Sequence, residues 1–250
     1  MPCQIELGYP SFEPTFVDYF GDGTARLKCS QGHLSTVVIQ GQTFQFLLES
    51  GANALLDRNT FEACALFSTA WERFLEYYVR VESRGCGISP DEFEAIFKTM
   101  SRQSERQVGA FLILHAVARG RAYKPDQKIA DFRNKVIHKG EIPNLKQTEN
   151  FCGKIYQEIS ALYDEMKQAR EHEMDVIDQE TNSKRWASVD RSIPTTAHSG
   201  SVFFCRWDVQ ETLEDALSRF QKYRDARDQA VPEMSRLFEA LQASIPNKSE

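Results

Sequence analysis

The spacing of hydrophobic positions changes once along this chain, near residue 41. Before that point, short runs of β-branched and aromatic residues alternate with turn residues: 16–20, then Gly21-Asp22-Gly23, 25–29, Gln31-Gly32, and 34–40. That alternation predicts a small antiparallel sheet over residues 1–40. Two or three strands are too few to stand alone, so helices that follow are expected to support them.

From Gln42 the period lengthens to between three and four. Phe44, Leu47, Leu48, Ala52, Leu55 and Leu56 mark one helix ending near Asp57. Asn59 or Thr60 caps a second, long helix with Phe61, Phe67, Trp71, Phe74, Leu75, Tyr78 and Val81 inward, ended by Gly85 and Gly87. Ser89-Pro90-Asp91-Glu92 is a capping box with proline at the first helical position, predicting a third helix to about 100. A fourth is predicted over 104–118, with His115 on its apolar side as a hydrogen-bonded core residue rather than a cleft residue. Gly120 and Pro125 break the chain before a short helix. After Pro143 a long helix is predicted over 146–180, with Ile155, Ile159, Leu162, Met166 and Ala169 as its core seam and an acidic, solvated tail at Glu171, Glu173, Asp175, Asp178 and Glu180. Residues 181–207 read as a long polar loop, of which 202–207 is a candidate strand for the N-terminal sheet. Helices over 209–227 and 232–244 finish the chain as a hairpin. The fold class is therefore mainly α: a helical bundle over 41–180, the small antiparallel β element before it, and a loop plus helical hairpin over 181–250.

Composition narrows the function. A hydrophobic content of 41% over 250 residues suffices for a core, and 30 basic against 36 acidic residues give a net charge of -6. No global basic field advertises nucleic acid, so any RNA contact is local. No apolar run approaches the roughly 20 residues that span a bilayer, and the first residues lack a basic-then-apolar signal, so the expected location is cytoplasmic with no membrane contact. Cys64 and Cys152 fall in helical patterns as small buried thiols. Cys29 and His33 offer two zinc-type ligands, with Cys3 as a third, but without a C-x2-C pair; no metal or other cofactor is expected. Walker, G-x-S-x-G, H-E-x-x-H and dinucleotide motifs are absent from the sequence.

The stretch that reads as chemistry runs from Asp131 to Gly140, DFRNKVIHKG. On a helical wheel Ile129, Phe132, Val136 and Ile137 form one apolar side, with Arg133 among them. Asn134 and His138 are four apart on the other side, within reach of a hydrogen bond that would fix the imidazole. Arg133 and His138, five apart, lie about 140° apart on an ideal helix. Either the helix loosens near His138, as Gly140 allows, or a second copy completes the site across a two-fold axis. A structural role also stays open, with Arg133 paired to Glu72 or Glu76.

Arg133-Asn134-x3-His138 resembles the R-x4-H motif of HEPN domains, a family of helical proteins that includes many metal-independent ribonucleases. The resemblance covers about residues 41–180, and the segment 71–78 resembles the core helix preceding the motif. It implies a homodimer whose paired motifs form the catalytic cleft. It further implies an RNA substrate, tRNA or mRNA, and products with a 2′,3′-cyclic phosphate and a 5′-hydroxyl. Effectors of antiviral defence and toxin–antitoxin modules, with an antitoxin or defence-system partner protein, are the roles it suggests. Lys139-Gly140 stand where family members paired with nucleotidyltransferase antitoxins often carry a tyrosine, which disfavours that system. The chemistry suits the residues: His138 for proton transfer, Arg133 as phosphate clamp, Asn134 to orient. Lys135, Lys139, Lys184, Arg185, Trp186 and Arg191 are candidate substrate contacts. The alternative is a catalytically silent HEPN-like dimer serving as a scaffold or a ligand- or RNA-binding module.

Overall fold

In the expected hairpin, β1 (Thr24–Lys28) and β2 (Leu34–Ile39) pair antiparallel, with Thr24 opposite Val38 and Lys28 opposite Leu34. The reversal between them uses Gly32 at φ +85, a value that favours glycine. Its N–H donates to the carbonyl of Cys29 at 2.9 Å. The computed structural model describes residues 5–6, 23–100, 104–198, 201–204 and 211–244, so the strand expected over 16–20 lies outside the described residues, as do 205–207.

The third strand corrects two expectations. It is β3 (Thr195–His198), and it runs parallel to β2, so the sheet is mixed rather than antiparallel. A parallel neighbour needs a long connection, and the whole helical region supplies it. Residues 201–204 instead form bends: Val202 and Phe203 donate their N–H groups to the Glu49 carboxylate at 2.7 and 3.2 Å, and Phe203 and Phe204 are buried. A carboxylate receiving these donors removes the reason to pair as a strand.

The helices follow the sequence closely as far as the motif. They are α1 (Thr43–Leu56), α2 (Thr60–Gly85), α3 (Pro90–Met100) and α4 (Ser104–Arg119). The capping box forms reciprocally, Glu92 N–H donating to Ser89 Oγ at 3.3 Å and Ser89 N–H to Glu92 Oε2 at 3.2 Å. Gly51 of α1 meets Phe67 of α2, where a Cβ would come within 2.6 Å of the ring, so glycine is what lets these two helices close on each other. Around that contact Phe44, Phe74, Tyr77, Tyr163 and Phe204 form an aromatic cluster with ring centroids 5.2 to 6.3 Å from Phe44.

α6 (Leu145–Ala187) is longer than the spacing predicts. Ile155, Ile159, Leu162 and Met166 are buried as expected, but Ala169 is exposed. Arg170 leaves helical geometry (φ −141, ψ 27), which shifts the seam, and burial resumes at Met174 and Ile177. The acidic tail is not simply solvated either. Asp178 accepts from Gln42 Nε2 at 2.7 Å and Tyr77 Oη at 3.3 Å, and Glu180 pairs with Arg84 at 2.6 Å. Because α6 runs to Ala187, Lys184, Arg185 and Trp186 sit on a helix and not in a loop. The expected C-terminal hairpin is also corrected: α7 (Leu213–Ser244) is one helix that continues through Pro232. Proline removes a single N–H donor, and here the helix absorbs that loss without reversing.

The chain divides into two compact units, one of residues 41–181 and 200–217, the other of residues 1–40, 182–199 and 218–250. The motif belongs to the first. The mainly helical class with a small sheet near the N-terminus is what the residue pattern predicts.

Candidate functional site

α5 (Gln127–Arg133) carries the first motif residue and is set by Asp126. Its Oδ1 caps the helix by accepting from Lys128 N–H at 2.8 Å, and its Oδ2 holds Lys154 of α6 at 2.6 Å. The Lys154 ammonium and the Lys128 amide keep this carboxyl below its ordinary range. Asp126 was not singled out from the sequence, although its place after Pro125 and before an apolar run is an N-cap signal.

At Asn134 the winding changes. Residues Asn134–His138 form a π-helical turn, and Lys139 N–H donates to the Asn134 carbonyl five residues back. Gly140, at φ +70, then ends the turn by donating to the Val136 carbonyl at 3.2 Å. The backbone has the loosened helix that Gly140 allows. A π turn closes i→i+5, so its wider winding narrows the angle that an α-helix puts between Arg133 and His138. No hydrogen bond joins Asn134 to His138 among the described residues. The apolar side reads as predicted: Val136 is buried and Phe132 packs on Phe151 with centroids 4.8 Å apart.

Exposure divides the motif. Asn134, Lys135, His138 and Lys139 are exposed. The Arg133 side chain is 29% exposed, and its Nη2 donates to Glu72 Oε1 of α2, itself 26% exposed. The structural partner anticipated from sequence is therefore present. Glu76 pairs with Arg73 at 2.7 Å instead, and burial raises its carboxyl above the usual range. The Arg133 Nε is buried without a hydrogen-bond partner among the described residues.

Arg133 and Asn134 also edge a groove of about 360 Å³ between α2, α4 and α5, with Trp71, Leu75, Phe111 and Tyr123 among its walls and Gln107 at its side. The helical spacing places Trp71 inward and gives no sign that it is only half-buried, whereas Phe111 behind the groove belongs to the core.

The remaining candidates fall elsewhere. His115 is fully buried, its Nδ1 3.2 Å from the Arg121 carbonyl, stacked at 6.2 Å on Tyr78: a core histidine, as expected. Near it Glu82, with no exposure, holds Arg119 at 2.8 Å and Arg170 at 3.0 Å, a buried ion cluster that helical periodicity cannot reveal. In the other unit Arg185 is not a free phosphate contact: it is buried and donates to the Ile39 carbonyl at 2.7 Å. Lys184, Trp186 and Arg191 are exposed. Cys29 and His33 flank the β-hairpin turn, 3.5 Å apart, and His33 Nε2 lies 2.8 Å from Glu6 Oε2, which raises the imidazole's pKa. Cys64 and Cys152 are buried thiols, and burial pushes Cys152 well up.

Among the described residues no group of three or more His, Cys, Asp or Glu side chains is placed to hold a metal ion, and no helix is long and apolar enough to cross a membrane. No family model, no curated protein and no solved structure matches the chain.

Proposed function

We propose that this chain is an endoribonuclease of HEPN type, acting as a homodimer in antiviral defence or a toxin–antitoxin module. The observation that carries the reading is the π turn over Asn134–His138, which widens the winding between Arg133 and His138 and leaves His138 exposed. Four exposed polar residues on or beside that turn, Asn134, Lys135, His138 and Lys139, support it. The 2′-hydroxyl oxygen attacks the adjacent phosphorus while its proton passes to a base, and the 5′-oxygen leaves with a proton from an acid. His138 takes one of these proton-transfer roles, since imidazole exchanges protons near neutrality. Arg133 holds the phosphate oxygens as charge grows on them. Lys135 and Lys139 supply local positive charge that the chain's net charge of -6 does not. Asn134 orients the imidazole of the partner subunit or the substrate rather than His138 of its own chain.

The test is cleavage of tRNA and total RNA by the purified protein in EDTA, beside Arg133→Ala and His138→Ala, both verified as folded. Cleavage by wild type alone, yielding 2′,3′-cyclic phosphate ends, supports the enzyme. One observation favours a second reading, a silent HEPN-like dimer used as a scaffold: the Arg133–Glu72 ion pair occupies the guanidinium. Equal inactivity of all three proteins on every RNA selects that reading.

A further inference from the structure

We infer that the groove beside the motif is a single-nucleotide subsite, in which an unstacked base of single-stranded RNA lies against aromatic walls and its phosphate meets Arg133. The assignment of this role in cleavage rests on the ribonuclease reading, but occupancy of the groove does not. The volume of about 360 Å³ is at the lower end of ordinary ligand sites and admits one nucleotide, not a run of them. The walls are of the kind that hold bases: Trp71 is half-buried and stacks on Phe74 at 6.1 Å, and Phe111 meets Tyr123 edge-on at 4.9 Å. Phe74 and Phe111 are themselves buried, so Trp71 and Tyr123 are the rings whose partly exposed surface can meet a base. The Tyr123 hydroxyl is already committed to Glu158, so its ring serves as wall rather than as donor.

The polar fittings point the same way. The Arg133 Nε is a buried donor with no acceptor among the described residues, a state that costs free energy until something accepts from it. A phosphate or a base carbonyl at the groove mouth is such an acceptor. The fork keeps its Nη2 on Glu72 while Nε turns to the ligand, so the ion pair positions the guanidinium instead of consuming it. Asn134, exposed at the groove's edge, offers an amide, both donor and acceptor, to the edge of a base, while two of the carboxylates in the lining are held, Glu72 by Arg133 and Asp126 by Lys154.

The test is isothermal titration of the four ribonucleoside 5′-monophosphates and of ribose 5-phosphate into the full-length protein. The variants are Arg133→Ala and Ala130→Phe, which fills the groove from an exposed helical position and so spares the fold. At least one nucleotide is expected to bind saturably, with ribose 5-phosphate, Ala130→Phe and Arg133→Ala each about tenfold or more weaker. No saturable binding of any nucleotide, or binding indifferent to Ala130→Phe, overturns the subsite. RNA cleavage that depends on Arg133 and His138 alongside either negative result leaves the ribonuclease standing without the groove. Groove-dependent binding in a protein that cuts no RNA leaves the groove standing without the ribonuclease.

Discussion

Replacing Glu72 by Gln separates the two things Arg133 can be. The side chains are 29% and 26% exposed, so the pair lies between the surface and the core. Exposed pairs contribute about 0.2–1 kcal/mol, while breaking a buried pair costs about 3–5 kcal/mol. A coupling of about 1–2 kcal/mol is therefore expected from a double-mutant cycle of Glu72→Gln and Arg133→Gln, read from urea unfolding. Activity should not follow stability. If the guanidinium binds the reacting phosphate, Arg133→Gln removes a charge-stabilising donor and lowers the rate of RNA cleavage by about 100-fold or more. Glu72→Gln leaves that donor in place and keeps an oxygen to accept from Nη2, so its rate stays within about threefold of wild type at equal folded fraction. Initial rates on a fluorogenic oligoribonucleotide, measured well below each unfolding midpoint, decide between them. Equal losses of rate in the two variants, tracking their losses of stability, would refute the phosphate role and make Arg133 a staple between α5 and α2.

Glu82→Gln leaves Arg119 and Arg170 without their buried counter-charge and should cost about 3–5 kcal/mol. For a chain of this size that lowers the melting temperature by about 2–4 °C per kcal/mol, and a loss under about 1 kcal/mol in calorimetry would contradict the buried cluster. Asp126 is stabilised as the anion by Lys154 and the Lys128 amide, so its folded pKa lies below its ordinary 3.8. Its contribution is thus present above that value and lost as pH falls through the lower, folded one. The urea-midpoint difference between wild type and Asp126→Asn should hold from neutral pH to about pH 4 and shrink below it; a constant difference down to pH 2 would be the wrong result. Cys86 is exposed while Cys64 and Cys152 are buried, with burial raising the Cys152 thiol. Mass spectrometry after brief alkylation of the native protein should find Cys86 labelled and the buried pair intact until denaturant is added.

Much of the helical frame was legible because its signals are local. Ser89 and Glu92 cap each other as their spacing predicts, and Ile155, Ile159, Leu162 and Met166 keep one side because helical geometry demands it. The failures are non-local. Nothing within 181–207 reveals that Arg185 reaches the Ile39 carbonyl, 146 positions earlier, or that Glu49 draws 202–203 out of strand geometry. Pro232 reads as a helix break because proline usually is one, yet α7 passes through it. At the motif the residue types were legible and the backbone was not. A wheel drawn at α-helical pitch separates Arg133 from His138 by about 140°, and the π turn narrows that separation.

That change of winding bears on how such motifs are measured. A wide turn is an ordinary helix carrying one surplus residue, so the distance from the guanidinium-bearing position to the imidazole-bearing one is better counted in windings than in letters. A chain with one residue fewer there and a regular helix would present the same two groups one above the other. Sequence patterns that insist on a fixed gap would treat the two as unrelated, although their backbones offer a ligand the same face.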